Sequence, residues 1–399
     1  MLLRRLLLVL LGLVVGFGAA EFAVRTLVRV DADGQRWLGE QRLLPWRLPV
    51  ERIGARLRDL NNPASLLRYD AELGWEPRPG ARSRDGLVSI DERGVRRDGL
   101  PVAQEGIPLR IVTVGDSFTF GAEVGDAESW SAQLGELLRA RGVAAEVINL
   151  GVNGYGIDQA VLRFERDGVP FAPDVVVLGL QPENLMRGLG LFRPFLFPDT
   201  NVPLSKPRFV AEGEGFTLVN QPTLALREVP KIVDDPSAFE LLAHERWLDE
   251  RYRDSPRYRS SLISLAESFF ATRGARNAAF RLTPEMAAVG THAIERLAEA
   301  ASASGARLVL VHTPRRHDLQ TIRQGGPVWY KSWLDEIDGR YELVRAEFEL
   351  DPADERFRPR GHYDAAQNRR VARALVGPLV APLVAPPADD LQAAGGGPS

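Results

Sequence analysis

This sequence predicts an α/β fold: a three-layer α/β/α sandwich around a mostly parallel five-stranded sheet. Two observations carry the prediction. From residue 109 onward, short apolar runs alternate with segments of helical period. The run Asp174-Val175-Val176-Val177-Leu178-Gly179-Leu180 is apolar almost throughout, as a parallel strand covered on both faces should be.

The elements follow in order. Residues 109–114 read as the first strand and 129–141 as a helix with Trp130, Leu134, Leu137 and Leu138 on one face. Residues 145–149 are the second strand, 157–167 a helix and 174–180 the third strand. The alternation then breaks over 189–282, a mid-chain insertion. Within it, 208–210 and 216–219 flank Glu212-Gly213-Glu214-Gly215 as a hairpin, and 238–270 is charged and reads as helical. A helix over 284–303, capped by Thr283, resumes the pattern. The fourth strand is 307–312, a weaker fifth is 341–344, and 364–379 is the closing helix. The tail, 386–399, is rich in Pro, Ala and Gly and reads as disordered.

Ahead of this domain lie two further regions. Arg4 and Arg5 precede an apolar run over 6–20 that resumes at Phe22-Ala23-Val24. This is a signal-anchor over 1–28, or a signal peptide cut after Gly18-Ala19-Ala20. Either reading exports the remainder, with the basic start left in the cytoplasm. Residues 29–106 read as a juxtamembrane stalk and leader. Its stretch from Tyr69 is punctuated by Pro77, Pro79 and Gly80, and a short strand over 87–90 precedes a turn at 91–94.

Composition narrows the partners. The 399 residues carry a net charge of -3, which gives no reason to expect a nucleic acid. There is no cysteine, so disulfides, thiolate catalysis and cysteine metal sites are excluded. No ligand cluster or phosphate-binding glycine loop is present, so no metal or organic cofactor is implied. The oligomeric state is not legible.

In parallel sheets the functional site lies at the carboxyl ends of the strands. Three loops fall on that rim. Gly115-Asp116-Ser117-Phe118-Thr119-Phe120-Gly121 follows the first strand and offers Ser117 as a nucleophile. Alone, Ser117 also reads as a helix cap, because an unactivated hydroxyl needs a base within hydrogen-bond reach. Asn153-Gly154-Tyr155-Gly156 follows the second strand; it is a plain turn, or a source of a backbone N–H for an oxyanion. Asn184 follows the third strand, either as a helix cap or as an amide donor. Of the five histidines, His244 and His292 fall in predicted helices. His312 ends the fourth strand on the rim, and His362 lies in a loop just before the last helix.

These segments resemble the four ordered blocks of the SGNH, or GDSL-type, hydrolase superfamily. Gly115-Asp116-Ser117 resembles the first block, Asn149-Leu150-Gly151-Val152-Asn153-Gly154 the second, Asn184 the third and His362 the fourth. The resemblance covers about 109–185 and 358–379, and 69–94 is similar to the leader of membrane-anchored bacterial members. It implies a flavodoxin-like sheet over 107–385. It also implies a Ser117 nucleophile with His362 as base, and oxyanion donors at Ser117, Gly154 and Asn184. Two positions depart from the family. The third block reads Pro182-Glu183-Asn184-Leu185 in place of Gly-x-Asn-Asp. Pro359 stands where an aspartate would orient the histidine. That leaves a Ser–His dyad, or an acid from Asp351, Asp354 or Glu355.

The resemblance thus implies an exported serine esterase or O-acyltransferase. Its partners would be a small-molecule or glycan ester, such as an O-acetylated glycan, and a membrane through the N-terminal helix. The rival reading is a catalytically weak binding or assembly module in cell-envelope polysaccharide processing, which the missing aspartate would favour. A further variant uses His312 as the base.

Overall fold

The computed structural model describes residues 2–97, 109–213, 215–248 and 250–384. Helix α1 (Leu2–Leu27) opens the chain with no buried residue. Its 26 residues span roughly 39 Å at 1.5 Å per residue, enough to cross about 30 Å of hydrocarbon. By length and composition it is compatible with a membrane anchor or a signal sequence. Its carboxyl end is tied to the body. Glu21 accepts the backbone N–H groups of Ser261 (2.9 Å) and Leu262 (2.8 Å). The carboxylate therefore meets the orphan donors at the start of the helix that begins there.

The central sheet consists of β1 (Leu109–Gly115), β2 (Ala145–Asn149), β3 (Val175–Leu180), β4 (Arg307–His312) and β5 (Leu343–Val344). All pairings are parallel, in the order β2-β1-β3-β4-β5. This is the flavodoxin-like arrangement. The chain steps from β1 to β2 on one side and then to β3 on the other, which opens a crevice at the carboxyl ends of β1 and β3.

Successive strand residues point to opposite faces and feed two cores. On one face Ile111, Val147, Val175, Val177, Val309 and Val311 pack with Trp130, Leu134 and Leu138 of α2 (Trp130–Arg139) and with Val371, Leu375 and Leu379 of α6 (Ala365–Val384). On the other, Val112, Val114, Ile148, Val176, Leu178 and Leu310 meet α3 (Ile157–Arg163) and α5 (Pro284–Ala303). The Thr283 hydroxyl accepts from Met286 N–H at 3.1 Å and Pro284 sits in the first turn, so α5 begins where its sequence predicts.

The leader is not a detached stalk. Trp75, on a short hairpin of Leu67–Asp70 with Gly74–Pro77, is fully buried in the second core. Its indole donates to Asn153 O at 3.0 Å, while Tyr155 donates to Trp75 O at 2.6 Å. Leader and second-strand loop thus hold each other. Val88, Ile90 and Phe120 form a third small core.

Within 189–282 the hairpin forms between Arg208–Glu212 and Gly215–Val219. The helix expected over 238–270 forms only in its last part, from Ser261 onward. Residues 236–259 make four short 3-10 turns, and α4 (Ser261–Ala279) begins only after them. Tertiary bonding overrides helix propensity here. Buried Glu245 accepts the N–H groups of Leu191 (2.7 Å), Phe192 (2.8 Å) and Trp247 (2.8 Å), which an α-helical Glu245 would not reach. Burial raises the Glu245 pKa against those three bonds. The tail expected over 386–399 lies outside the described residues.

Candidate active site

Ser117 is the first residue of a one-turn helix, Ser117–Phe120, that starts where β1 ends. Asp116 caps it, accepting from Phe118 N–H at 2.9 Å. The second-strand loop lies directly against this turn. A Cβ on Gly151 would stand 2.4 Å from Phe120 N, so only glycine lets the two backbones approach this closely. Gly154 has φ +85, which also favours glycine. The N–H groups of Ser117 and Gly154 have no acceptor among the described residues.

His362 Nε2 lies 2.9 Å from Ser117 Oγ. Its Nδ1 lies 2.6 Å from Glu123 Oε2. The other oxygen of Glu123 accepts from Arg360 N–H at 3.2 Å. Glu123 and His362 are each 18% exposed, open enough for substrate and sheltered enough to interact strongly. The histidine loop is pinned from behind. Arg358 N–H donates to His362 O at 2.7 Å, the Phe118 ring packs 5.3 Å from the imidazole, and Tyr363 donates to Pro314 O at 2.6 Å.

The expected orienting acids are therefore corrected. Asp351 pairs with Arg356 and Arg370, Asp354 pairs with Arg316, and Glu355 is exposed. None of these three takes the position at His362 Nδ1; Glu123, from the loop that carries Ser117, does. A bare Ser–His dyad is excluded for the same reason. Pro359 removes the usual aspartate, and a carboxylate from the opposite side of the crevice stands in its place. Glu123 sits at φ +68, an uncommon conformation for a side chain, just after the left-handed Gly121. That strained turn aims it across the rim.

A buried arginine braces the turn. Arg96, from the leader, donates to the carbonyls of Phe120 and Gly121 and to Val124 O at 2.7 Å, so it grips the backbone on both sides of Glu123. Its guanidinium also lies 4.7 Å from the centre of the Phe120 ring. Burial lowers its pKa to about 10, with Asp126 opposing.

His312 is fully buried. Its Nε2 lies 3.2 Å from Tyr330 Oη, and its Nδ1 is 2.8 Å from Glu347 but off the line of a good hydrogen bond. It is committed to the core beneath β4, and among the described residues no hydrogen bond joins it to Ser117. Asn184, in the short helix Glu183–Arg187, uses its Oδ1 to accept from Arg187 Nη1 at 3.0 Å. Its Nδ2 makes no hydrogen bond among the described residues.

The departed third block has a structural explanation in Arg187. This buried arginine bonds Asp116 (2.9 Å), Tyr155 O (3.1 Å), Asn184 and Glu183 (2.6 Å). It ties the three rim loops together. Burial pushes the Asp116 carboxyl up, with Arg187 opposing. Burial also opposes ionisation of Glu183, but Arg187 and Arg315 beside it hold its carboxyl below the usual range. In the sequence, Glu183 and Arg187 stand at helical i,i+4 spacing, a readable signal. Glu123 had only its nearness to the nucleophile.

The triad opens into a cleft of about 1690 Å³. Ser117, Gly154 and His362 line its floor. Arg193, Phe197 and Phe280 of the 189–282 segment stand in its wall. Asn184 is not among the lining residues.

The GDSL-like Lipase/Acylhydrolase family model matches residues 113–180, from the end of β1 through β3. No curated protein matches the chain. Among solved structures, TesA is 14% identical over 69% of this chain and 99% of its own, with a TM-score of 0.38. A catalytic mutant of an acetylxylan esterase from Geobacillus stearothermophilus is 13% identical over 69% and 95%, at 0.34. An esterase from Pseudoalteromonas sp. is 12% identical over 69% and 98%, at 0.35. At these scores the three likenesses carry no argument. The matched segment holds the nucleophile turn and the second-strand loop. Over that segment the chain is similar to the GDSL-like Lipase/Acylhydrolase family.

Proposed function

We propose that this enzyme is an exported serine esterase or O-acyltransferase that works through an acyl-enzyme on Ser117. The observation that carries the reading is the continuous line from Glu123 through His362 to Ser117, at 2.6 and 2.9 Å. His362 Nε2 takes the Ser117 proton as Oγ attacks the acyl carbonyl. Glu123 holds Nδ1–H, fixes the tautomer and stabilises the imidazolium. The N–H groups of Ser117 and Gly154 receive the oxyanion. The alkoxide leaves with the proton from His362. Water, or a second hydroxyl, then attacks the acyl-enzyme, gives its proton to His362 and restores Ser117.

The cleft is larger than the 300–1,000 Å³ usual for small-ligand pockets, which suits a bulky ester such as an O-acetylated glycan. The N-terminal helix, with Arg4 and Arg5 ahead of its apolar run and Glu21 docked on α4, supports an anchored enzyme facing the exported side. A carboxylate at His362 Nδ1 weighs against the binding-only reading.

The test is acetate release from p-nitrophenyl acetate and from an acetylated glycan, with and without a glycan acceptor. Ser117→Ala should abolish all turnover. Free acetate alone indicates an esterase, and an acetylated acceptor a transferase. Turnover that survives in Ser117→Ala would sink the acyl-enzyme.

A further inference from the structure

Arg193 is a half-buried cation of the cleft without an ion pair among the described residues; Arg358 and Arg360, which also line the cleft, lack one too but are exposed. Arg187 is paired with Asp116 and Glu183, and Arg315 with Glu183 and Asp318. Asp199, in the same wall, is met by Arg52. Arg193 has no carboxylate within ion-pair distance among the described residues. Burial and the neighbouring Arg187 lower its pKa, with the more distant Glu183 and Asp116 opposing only in part. A positive charge placed this way is costly unless something anionic answers it.

Its position is fixed on three sides. Nε donates to Thr200 Oγ1 at 2.8 Å, and Nη1 donates to Gly154 O at 2.8 Å. The guanidinium lies 4.8 Å from the centre of the Phe197 ring. A Cβ on Gly154 would meet the guanidinium carbon at 3.1 Å, so the cation sits hard against a proposed oxyanion donor. Of its five N–H groups, two are used. Both of Nη2 and one of Nη1 remain, and these form the end-on fork that matches a carboxylate.

We propose that Arg193 is a specificity-determining residue that takes a carboxylate carried by the ester substrate, beside the reacting acyl group. This rests on the esterase reading above and names a class of substrate for it: acyl esters of carboxylate-bearing molecules. Such a group would supply the missing ion pair and orient the ester through two charge-assisted hydrogen bonds. The cavity wall from Arg193 to Val202 then acts as a reader of the substrate's charge.

The test uses the full-length protein in detergent and two pairs of aryl acetates: 3- and 4-acetoxybenzoate, and their neutral methyl esters. The readout is kcat/KM for the charged acetate divided by that for its neutral partner. Differences in intrinsic reactivity cancel when variants are compared. Arg193→Gln, which keeps polar bonds to the loop but removes the charge, should lower the ratio at least tenfold for one pair, mainly through KM. Arg193→Lys should recover part of it. A ratio unchanged within twofold, or an equal loss on charged and neutral substrates, would overturn the proposal and leave Arg193 as a brace for Gly154. Those outcomes leave the esterase intact. Failure of any Ser117-dependent turnover would overturn both.

Discussion

Glu123 Oε2 stands 2.6 Å from His362 Nδ1, joined across 239 residues of chain. The usual arrangement puts the acid on the histidine's own loop. Here it comes from six residues after Ser117, so the proposed nucleophile and its orienting acid are carried by one short segment.

Glu123→Gln should therefore reduce kcat by about 10³–10⁴, by analogy with loss of the acid's charge in other triads. KM for a neutral ester should change little. Asp351→Ala, Asp354→Ala and Glu355→Ala should each stay within about twofold of the parent. Steady-state kinetics on p-nitrophenyl acetate separates these outcomes.

Arg96 links the leader to that acid. Arg96→Met removes donors to three buried carbonyls, each worth about 1–3 kcal/mol when left unmet. A loss of several kcal/mol in urea unfolding is expected, with kcat falling further than KM rises in the folded fraction. Normal stability and normal kcat would show that the grip does not matter.

Lys206 and Asp158 form a buried ion pair between the 189–282 segment and α3. Burial lowers the lysine's pKa, with Asp158 opposing. Lys206→Met leaves Asp158 buried and unpaired, so about 3–5 kcal/mol of stability should go. The double change Lys206→Met with Asp158→Leu should recover much of it. Chemical denaturation of the three variants forms the cycle.

Glu183 gives a pH signature. Its carboxyl lies below the ordinary glutamate value in the fold, because Arg187 and Arg315 outweigh the opposing effect of burial. The folded state holds its proton less tightly than the unfolded state. Its contribution is thus full above about pH 4.5 and is lost as pH falls through the lower folded value. Glu183→Gln should flatten that part of the acid limb in a stability–pH series. An unchanged limb would place the acid sensitivity elsewhere.

Much of this was legible in the sequence, for a physical reason. Strands covered on both faces must be apolar, so β1 through β4 announce themselves, and Thr283-Pro284 marks the start of α5. Rim loops follow from strand ends, which puts Ser117, Gly154 and Asn184 on one rim from the sequence alone. Glu123 was not legible because its partner is remote and its aim depends on a single positive-φ turn. The stretch 238–260 misled for the opposite reason: its composition suits a helix, while buried Glu245 spends its bonds on a loop elsewhere. Arg96 and Trp75 show the same limit, since nothing local in the leader says that it packs into the core.

The most direct measurement is the site of covalent labelling by a fluorophosphonate, read by peptide mass spectrometry on the full-length protein in detergent. The adduct should fall on Ser117, form much more slowly in Glu123→Gln and His362→Ala, and be absent in Ser117→Ala. Labelling at another residue, or equal labelling of the parent and Ser117→Ala, would contradict the triad.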